Sequence, residues 1–252
     1  MPAAAKAEAS LPGKPDYGLD APVLVKRMFS RGGWTLAVAI ALYLINRAQY
    51  PGPAERLLVV LGAIGVGFLA IGSMMVWSSR VAKLQMREKL LDSLDLRGDE
   101  KVLDVGCGRG LMAIGAAKRL KTGRVTGIDV WSPEDLSNNS ADAAKLNAKI
   151  EGVADRVRIE TCDAHKLPYP DQNYDVVLST LVIHNIPDSE ERAQALREMW
   201  RVLKPGGRLA IFDIFHTGSY ANVLRAAGAS DVSLSPLSFL WCVPSRSLLA
   251  RK

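Results

Sequence analysis

Cysteine and histidine are scarce: the chain has three of each in 252 residues. Cys107, Cys162 and Cys242 stand far apart, with none of the short spacings that pair metal ligands. An odd, sparse set of this kind excludes a disulfide framework and fits a reducing compartment; no metal site is expected. Aromatic residues make up 6% of the chain, and no basic stripe carries them interleaved. The formal charge of +6 is therefore assigned to an anionic lipid surface, and no nucleic-acid partner is expected.

Charge itself is missing over residues 57–79, which hold no Asp, Glu, Lys or Arg between Arg56 and Arg80. At about 1.5 Å rise per residue such a run covers a hydrocarbon core of about 30 Å. A shorter apolar run, 34–45, precedes it and is broken by Asn46 and Arg47. Pro51, Gly52 and Pro53 punctuate the gap, and Trp34, Tyr43, Tyr50 and Trp77 are placed near the ends as interfacial aromatics. Ala37 with Ala41, and Ala63 with Gly67, are four apart and would let two helices approach closely. The expected organisation is a loose lead over 1–30, a transmembrane hairpin over 31–79 and a catalytic domain over 80–252. A single span, a monotopic anchor and a buried core helix are the alternatives. Lys26, Arg27 and Arg31 before the hairpin and Arg80, Lys83, Arg87 and Lys89 after it place both ends, and the catalytic domain, in the cytoplasm.

Residues 80–96 read as an amphipathic helix with Val81, Leu84, Leu90, Leu91 and Leu94 on one face. That face packs on the catalytic sheet or lies on the lipid surface. From Lys101 the pattern alternates between strand and helix. Strands are predicted at 101–105, 124–129, 156–161, 174–179 and 207–213, and helices near 110–121, 137–152, 188–203 and 219–228. Asp188 followed by Glu191 is a capping-box-like start. Weaker strands near 231–235 and 245–251 complete an α/β, doubly wound, mostly parallel seven-stranded sheet, Rossmann-like in plan, with an antiparallel pair at its end.

The first strand runs into Asp104-Val105-Gly106-Cys107-Gly108-Arg109-Gly110. Glycines at this turn let a ligand approach the backbone, and the following helix offers free N–H groups. Dinucleotide enzymes use such a turn too. Asp104 separates the two cases, since an acid there repels a pyrophosphate and suits a cationic ligand. Residues 104–110 resemble motif I of the class I S-adenosylmethionine-dependent methyltransferases, of the type 11-like group. Three further segments resemble the same family: 125–129, ending in Asp129; 161–164, with Cys162, Asp163 and Ala164; and 203–207, Leu-Lys-Pro-Gly-Gly. The resemblance covers about residues 85–252 and implies S-adenosyl-L-methionine as cofactor.

It further implies that Gly106, Cys107, Gly108 and Gly110 cradle the methionyl end and the ribose neighbourhood. Asp129, with Val130 and Trp131 beside it, would meet the ribose hydroxyls. Asp163 would bind the adenine amino group, with Cys162 and Ala164 flanking the ring and Ser179 on the neighbouring strand end. Each acid also reads as a helix cap or surface charge, Arg109 as a partner of the methionyl carboxylate or a solvated turn residue, and Trp131 as adenine packing or ordinary packing. On the acceptor side, His184 is the candidate base, Asn185 an orienting group, and Asp213 a rim carboxylate; lining without proton transfer is the alternative for His184. His165 and His216 are weaker candidates.

Few residues separate Asp213 from the helix near 219, so no lid insertion is expected there, and the anchor, the 80–96 helix and the membrane are expected to complete the pocket. The expected activity is methyl transfer to a hydrophobic or membrane-associated small molecule by in-line displacement, with a lipid bilayer as partner. Methylation of a membrane protein, a non-catalytic S-adenosylmethionine-binding scaffold and a nicotinamide dehydrogenase are the rivals. The sequence sets no oligomeric state.

Overall fold

The computed structural model of the chain describes residues 13–46, 51–239 and 243–252. The expectations placed on 1–12, on 47–50 and on Cys242 lie outside the described residues. Two helices come first: α1, Pro22–Asn46, and α2, Pro51–Trp77. Their 25 and 27 residues correspond to about 38 and 40 Å at about 1.5 Å per residue. Both are long and apolar enough to cross a membrane by length and composition. Pro51 and Pro53 do not interrupt the chain as expected; they sit in the first turn of α2, where a missing N–H costs no intrahelical bond. Residues 22–30, read as part of a loose lead, are helical for the same reason, with Pro22 in the first position of α1.

The seam between α1 and α2 is built from glycine holes. A Cβ on Gly32 would lie 2.7 Å from Leu69 and 3.0 Å from the Gly65 carbonyl, and one on Gly65 would lie 2.7 Å from Leu36. Gly72 takes Phe29 in the same way, at 3.2 Å. Gly32 with the buried Ala39, and Gly65 with Gly72, recur at the heptad spacing of a helix pair. The expected small-residue pairs are therefore not the contact: Ala37, Ala41 and Ala63 are exposed and Gly67 meets nothing within 4 Å. The seam repeats every seven residues, not at the four-residue spacing of the expected pairs.

α2 continues through a π-helical turn, Ser78–Ala82, into α3, Lys83–Asp92. Met86, Leu90 and Leu91 of α3 are buried against the domain core, and Leu91 and Arg87 fill the space beside Gly115. Fully burying a side chain like Leu91 contributes about 1.5–3 kcal/mol. Leu84, Leu90, Leu91 and Leu94 of the expected apolar face thus pack on the domain core, while Val81 is exposed.

The domain that follows alternates β1 (Lys101–Val105), α4 (Leu111–Ala117), β2 (Arg124–Asp129), α5 (Ala141–Ile150), β3 (Val157–Thr161), β4 (Tyr174–Thr180), α6 (Ser189–Val202), β5 (Leu203–Asp213), α7 (Thr217–Ala226), β6 (Ser230–Leu234) and β7 (Arg246–Arg251). The seven strands order as β3-β2-β1-β4-β5-β7-β6, parallel except for β7, which runs antiparallel to both β5 and β6. Apolar clusters cover both faces: Leu91, Ile114 and Val176 belong to one, Leu196, Met199 and Tyr220 to the other. Asp188 caps α6 by accepting from the Glu190 and Glu191 amides. α5 starts later than expected because Ser140 is its cap, leaving 137–139 free to reach β2. β1 and β4 are neighbours from which the chain departs in opposite directions, so a crevice opens at their carboxyl ends.

Replacing Gly32 with Val should splay the helix pair, whereas Gly67→Ala should leave it intact. Thermal unfolding in detergent micelles should show a lower midpoint for Gly32→Val alone.

Candidate active site

A cavity of about 620 Å³ occupies the crevice at the carboxyl ends of β1, β2 and β4, within the range of about 300–1,000 Å³ usual for small-molecule sites. The turn after β1 has the backbone its glycines permit. Gly106, Gly108 and Gly110 have φ of 73°, 53° and 87°. A Cβ on Gly106 would lie 2.2 Å from Val182, so no side chain fits. The Gly106 and Cys107 amides both donate to the Ile128 carbonyl, at 2.8 and 2.9 Å.

Asp104, next to last in this strand, is fully buried, 1% exposed, and neither carboxylate oxygen makes a hydrogen bond of ordinary geometry. Burial pushes its pKa up to about 7; the Asp129 charge adds to the rise, and the Ala113 amide opposes it. An unpartnered carboxyl in an apolar wall is costly unless something cationic meets it. Asp129, at the end of β2, accepts from the Gly108 amide on Oδ2 (2.7 Å) and from the Trp131 amide (2.6 Å) and Asn139 Nδ2 (3.3 Å) on Oδ1. Oδ2 keeps acceptor capacity, since each carboxylate oxygen takes about two bonds. Asn139 Oδ1 is buried on the cavity wall without a partner. Cys107 is buried, and burial pushes its thiol pKa up, so it is an inert wall rather than a nucleophile.

On the far side of β2, Cys162, Asp163 and Ala164 line the cavity. Asp163 is held by His165, whose amide donates to Oδ1 at 2.9 Å and whose Nδ1 lies 2.5 Å from the same oxygen. These contacts, the amide first, hold the Asp163 carboxyl below its usual range despite some burial. Opposite, a 3-10 turn, Ile183–Asn185, follows β4 and carries His184 and Asn185 on the cavity wall. His184 Nδ1 lies 2.5 Å from Asp213 Oδ1, a close contact without hydrogen-bond alignment. Asp213 itself is fully buried and is fixed by the Ile214 amide (2.8 Å), the His184 amide (3.1 Å) and the Tyr220 hydroxyl (3.3 Å). It lies behind the imidazole rather than on the rim.

Four expected residues do not line the cavity: Gly110, Trp131, Ser179 and Asp213. Gly110 caps α4. Trp131 points outward, its indole donating to Thr161 Oγ1 at 2.7 Å. Ser179 is buried in the sheet, and Thr180, on the opposite face by strand alternation, takes the wall position instead. His216 begins α7 as its cap residue.

The wall that sequence reasoning missed comes from the hairpin side. Residues 13–21 run as a strap over the cavity into α1. The strap is pinned by Leu19 N to Ser137 Oγ (2.7 Å), Ala21 N to the Asp135 carbonyl (2.9 Å), and a bridge between Asp20 and Leu136. Arg109, a candidate for the cofactor carboxylate, is spent on the strap: it meets Asp16 at 2.9 Å and the Ser137 carbonyl at 3.2 Å. Lys83, 4% exposed, donates to the carbonyls of Tyr17 (2.9 Å) and Gly18 (2.7 Å) and to Asp20 Oδ1 (3.4 Å). Burial lowers the Lys83 pKa and raises that of Asp20, each against the pull of its partner. The strap was invisible because its partners lie about sixty to more than a hundred positions away in the chain, from Ser79 and Lys83 to Asn147, whose Oδ1 accepts from Asp16 N at 3.0 Å.

Residues 103–211 match the family described as a methyltransferase domain. The chain carries an S-adenosylmethionine-dependent methyltransferase domain. Methyltransferase GfsG of Streptomyces halstedii is 38% identical over 168 residues, covering 67% of this chain and 57% of that protein. The demethylmenaquinone methyltransferase of Lactobacillus johnsonii is 30% identical over 128 residues, 50% of this chain and 49% of that one. The chain thus spans only about half the length of these curated relatives. A solved SAM-dependent methyltransferase from Aquifex aeolicus superposes with a TM-score of 0.53 at 22% identity, over 67% of this chain and 90% of the other, and shares the fold.

Asp104 sets a pH test. Its folded pKa of about 7 stands above the usual 3.8. The neutral form therefore favours the empty fold, and that contribution is lost as pH rises through about 7. A cation binding there prefers the ionised form. S-adenosylmethionine affinity should rise with pH by up to about tenfold per unit below about 7 and then level off, with proton release on binding. Calorimetry in buffers of different ionisation enthalpy should show that release in the wild type and none in Asp104→Asn.

Proposed function

We propose that this protein transfers a methyl group from S-adenosylmethionine to a hydrophobic, membrane-associated small molecule. It works from a cytoplasmic domain held to the bilayer by the α1–α2 hairpin. The observation that carries the cofactor half is the buried, unpartnered Asp104 beside a turn whose Gly106 admits no side chain. The carboxylate suits the cationic methionyl end. Asp129 Oδ2 and Asn139 Oδ1 offer acceptors to the ribose hydroxyls, and Cys162, Asp163 and Ala164 suit the adenine. Gly108 and Cys107 shape the cradle between them.

S-adenosylmethionine supplies a methyl carbon on a positively charged sulfur, an activated donor. The residues of the chain then have to bind the acceptor, orient it and exclude water. His184 takes the proton from an acceptor that must lose one; with Nδ1 against Asp213, Nε2 is the nitrogen left for the cavity. Asp213 is a positioning residue, and Asn185 orients the acceptor beside it. The membrane half rests on the two apolar helices and on the basic residues at their feet, Lys26, Arg27, Arg31 and Arg80, all exposed. These residues favour the cytoplasmic side. A relative named for demethylmenaquinone lends support to a lipophilic acceptor.

The test is transfer of isotope from methyl-labelled S-adenosylmethionine into a native membrane extract, with mass spectrometry of the products. Label in a lipid-soluble small molecule is the expected outcome. Label in the protein fraction would instead mean a membrane-protein methyltransferase, and no S-adenosylhomocysteine would mean a scaffold. With the labelled product in hand, His184→Gln should lower kcat by about a hundredfold or more while S-adenosylmethionine binding stays intact.

A further inference from the structure

The cavity does not close at the catalytic domain. Its wall continues onto the foot of the hairpin, through Leu24 of α1 and Ile71 and Met75 of α2. Leu24 and Ile71 line the cavity and yet are 43% and 47% exposed, so the cavity reaches the surface at the foot of the two helices. The rim of that opening is apolar, and the outer faces beside it carry exposed Val23, Phe29, Met74 and Trp77. Inward, the same cavity is lined by Met86 and Met112, which are 5% and 3% exposed.

The level of the opening follows from the charges. Lys26, Arg27 and Arg31 are exposed on α1 just above it, and Arg80 lies just below Met75 in the chain. Long basic side chains carry their heads to the headgroup layer while their stems lie along apolar surface. The opening therefore sits within the headgroup layer of the cytoplasmic leaflet, where a lipid-soluble molecule has its polar end near water.

Resting on the function proposed above, we infer that the gap between the feet of α1 and α2 is a lateral portal and tail subsite. The acceptor's apolar tail lies across Leu24, Ile71 and Met75, and its head reaches the cofactor end without leaving the membrane interface. The strap closes the water side of this route. Met75 is then a specificity-determining residue, since one methylene more or less in an apolar pocket changes selectivity by about 10- to 200-fold.

The portal can be tested without knowing the natural acceptor. The full-length protein is placed in palmitoyl-oleoyl phosphatidylcholine vesicles containing hexadecanol with a diazirine beside its hydroxyl, with S-adenosylhomocysteine present, and is photolysed. Mass spectrometry should find label on Met86 or Met112, residues reached only through the cavity, in addition to outward hairpin residues. Met75→Trp, and Leu24→Trp as a second variant, should lower that inner labelling by about tenfold or more. Met74→Trp, on the outer face, should not. Unchanged calorimetric affinity for S-adenosylmethionine shows that each variant is folded. Label confined to the outer faces, or inner label that survives both tryptophan variants, overturns the portal. Inner labelling without any methyl transfer in the extract assay supports the portal and overturns the catalytic reading. Methyl transfer to lipid with Met86 and Met112 unlabelled overturns the portal alone.

Discussion

The Lys83 ammonium holds the two parts of this molecule in one arrangement. It is almost fully buried, and its three acceptors all lie on the strap, two carbonyls and one carboxylate. Removing a partner from such a pair leaves an uncompensated buried charge and costs about 3–5 kcal/mol. The strap, the hairpin foot and α3 therefore share one position: Asp20 also donates its amide to Ser79 of the π-turn, at 3.1 Å. That junction ties the roof of the cavity to the hairpin foot, while Ser137, Asp135 and Asn147 tie it to the catalytic domain. The cavity in turn decides what Asp104 and His184 can face.

Much of the sheet was legible because its signals are local. Alternation of strand and helix from Lys101, glycines at positive φ after β1, and Asp188 at the start of α6 are each readable within a few residues. The cavity wall was legible only where a motif ended a strand. Asp104, Asp129 and Asp163 come to one cavity because parallel strands end on the same edge. Ser179 fails where Thr180 succeeds because a strand reverses its face at every residue, and the resemblance placed the segment without fixing that parity.

The strap, the Arg109–Asp16 pair and the hairpin seam were not legible, for a different reason. Each depends on a partner far away in sequence, and no composition or spacing in residues 13–21 announces it. Arg109 was read as a partner of the methionyl carboxylate or a solvated turn residue; the structure gives it to Asp16 and the Ser137 carbonyl. Likewise, several small residues lie on both hairpin helices, and only packing distinguishes Gly32 and Gly65 from Ala37 and Gly67. The anchor, the 80–96 helix and the membrane were expected to complete the pocket; the strap over residues 13–21 was not among them, and it lines the cavity through Tyr17, Asp20 and Ala21.

The π-turn at Ser78–Ala82 makes α2 and α3 a single shaft with one residue more than a plain helix would use. An inserted residue turns everything beyond it by about 100° around the axis. The angular setting between bilayer and sheet is therefore written into chain length at that one point. A hairpin seated in lipid would carry the domain at a defined heading, like a key whose bit is cut at a fixed angle to its bow. The mouth of the cavity would then always present itself to the same depth and side of the leaflet, however the protein drifts in the plane.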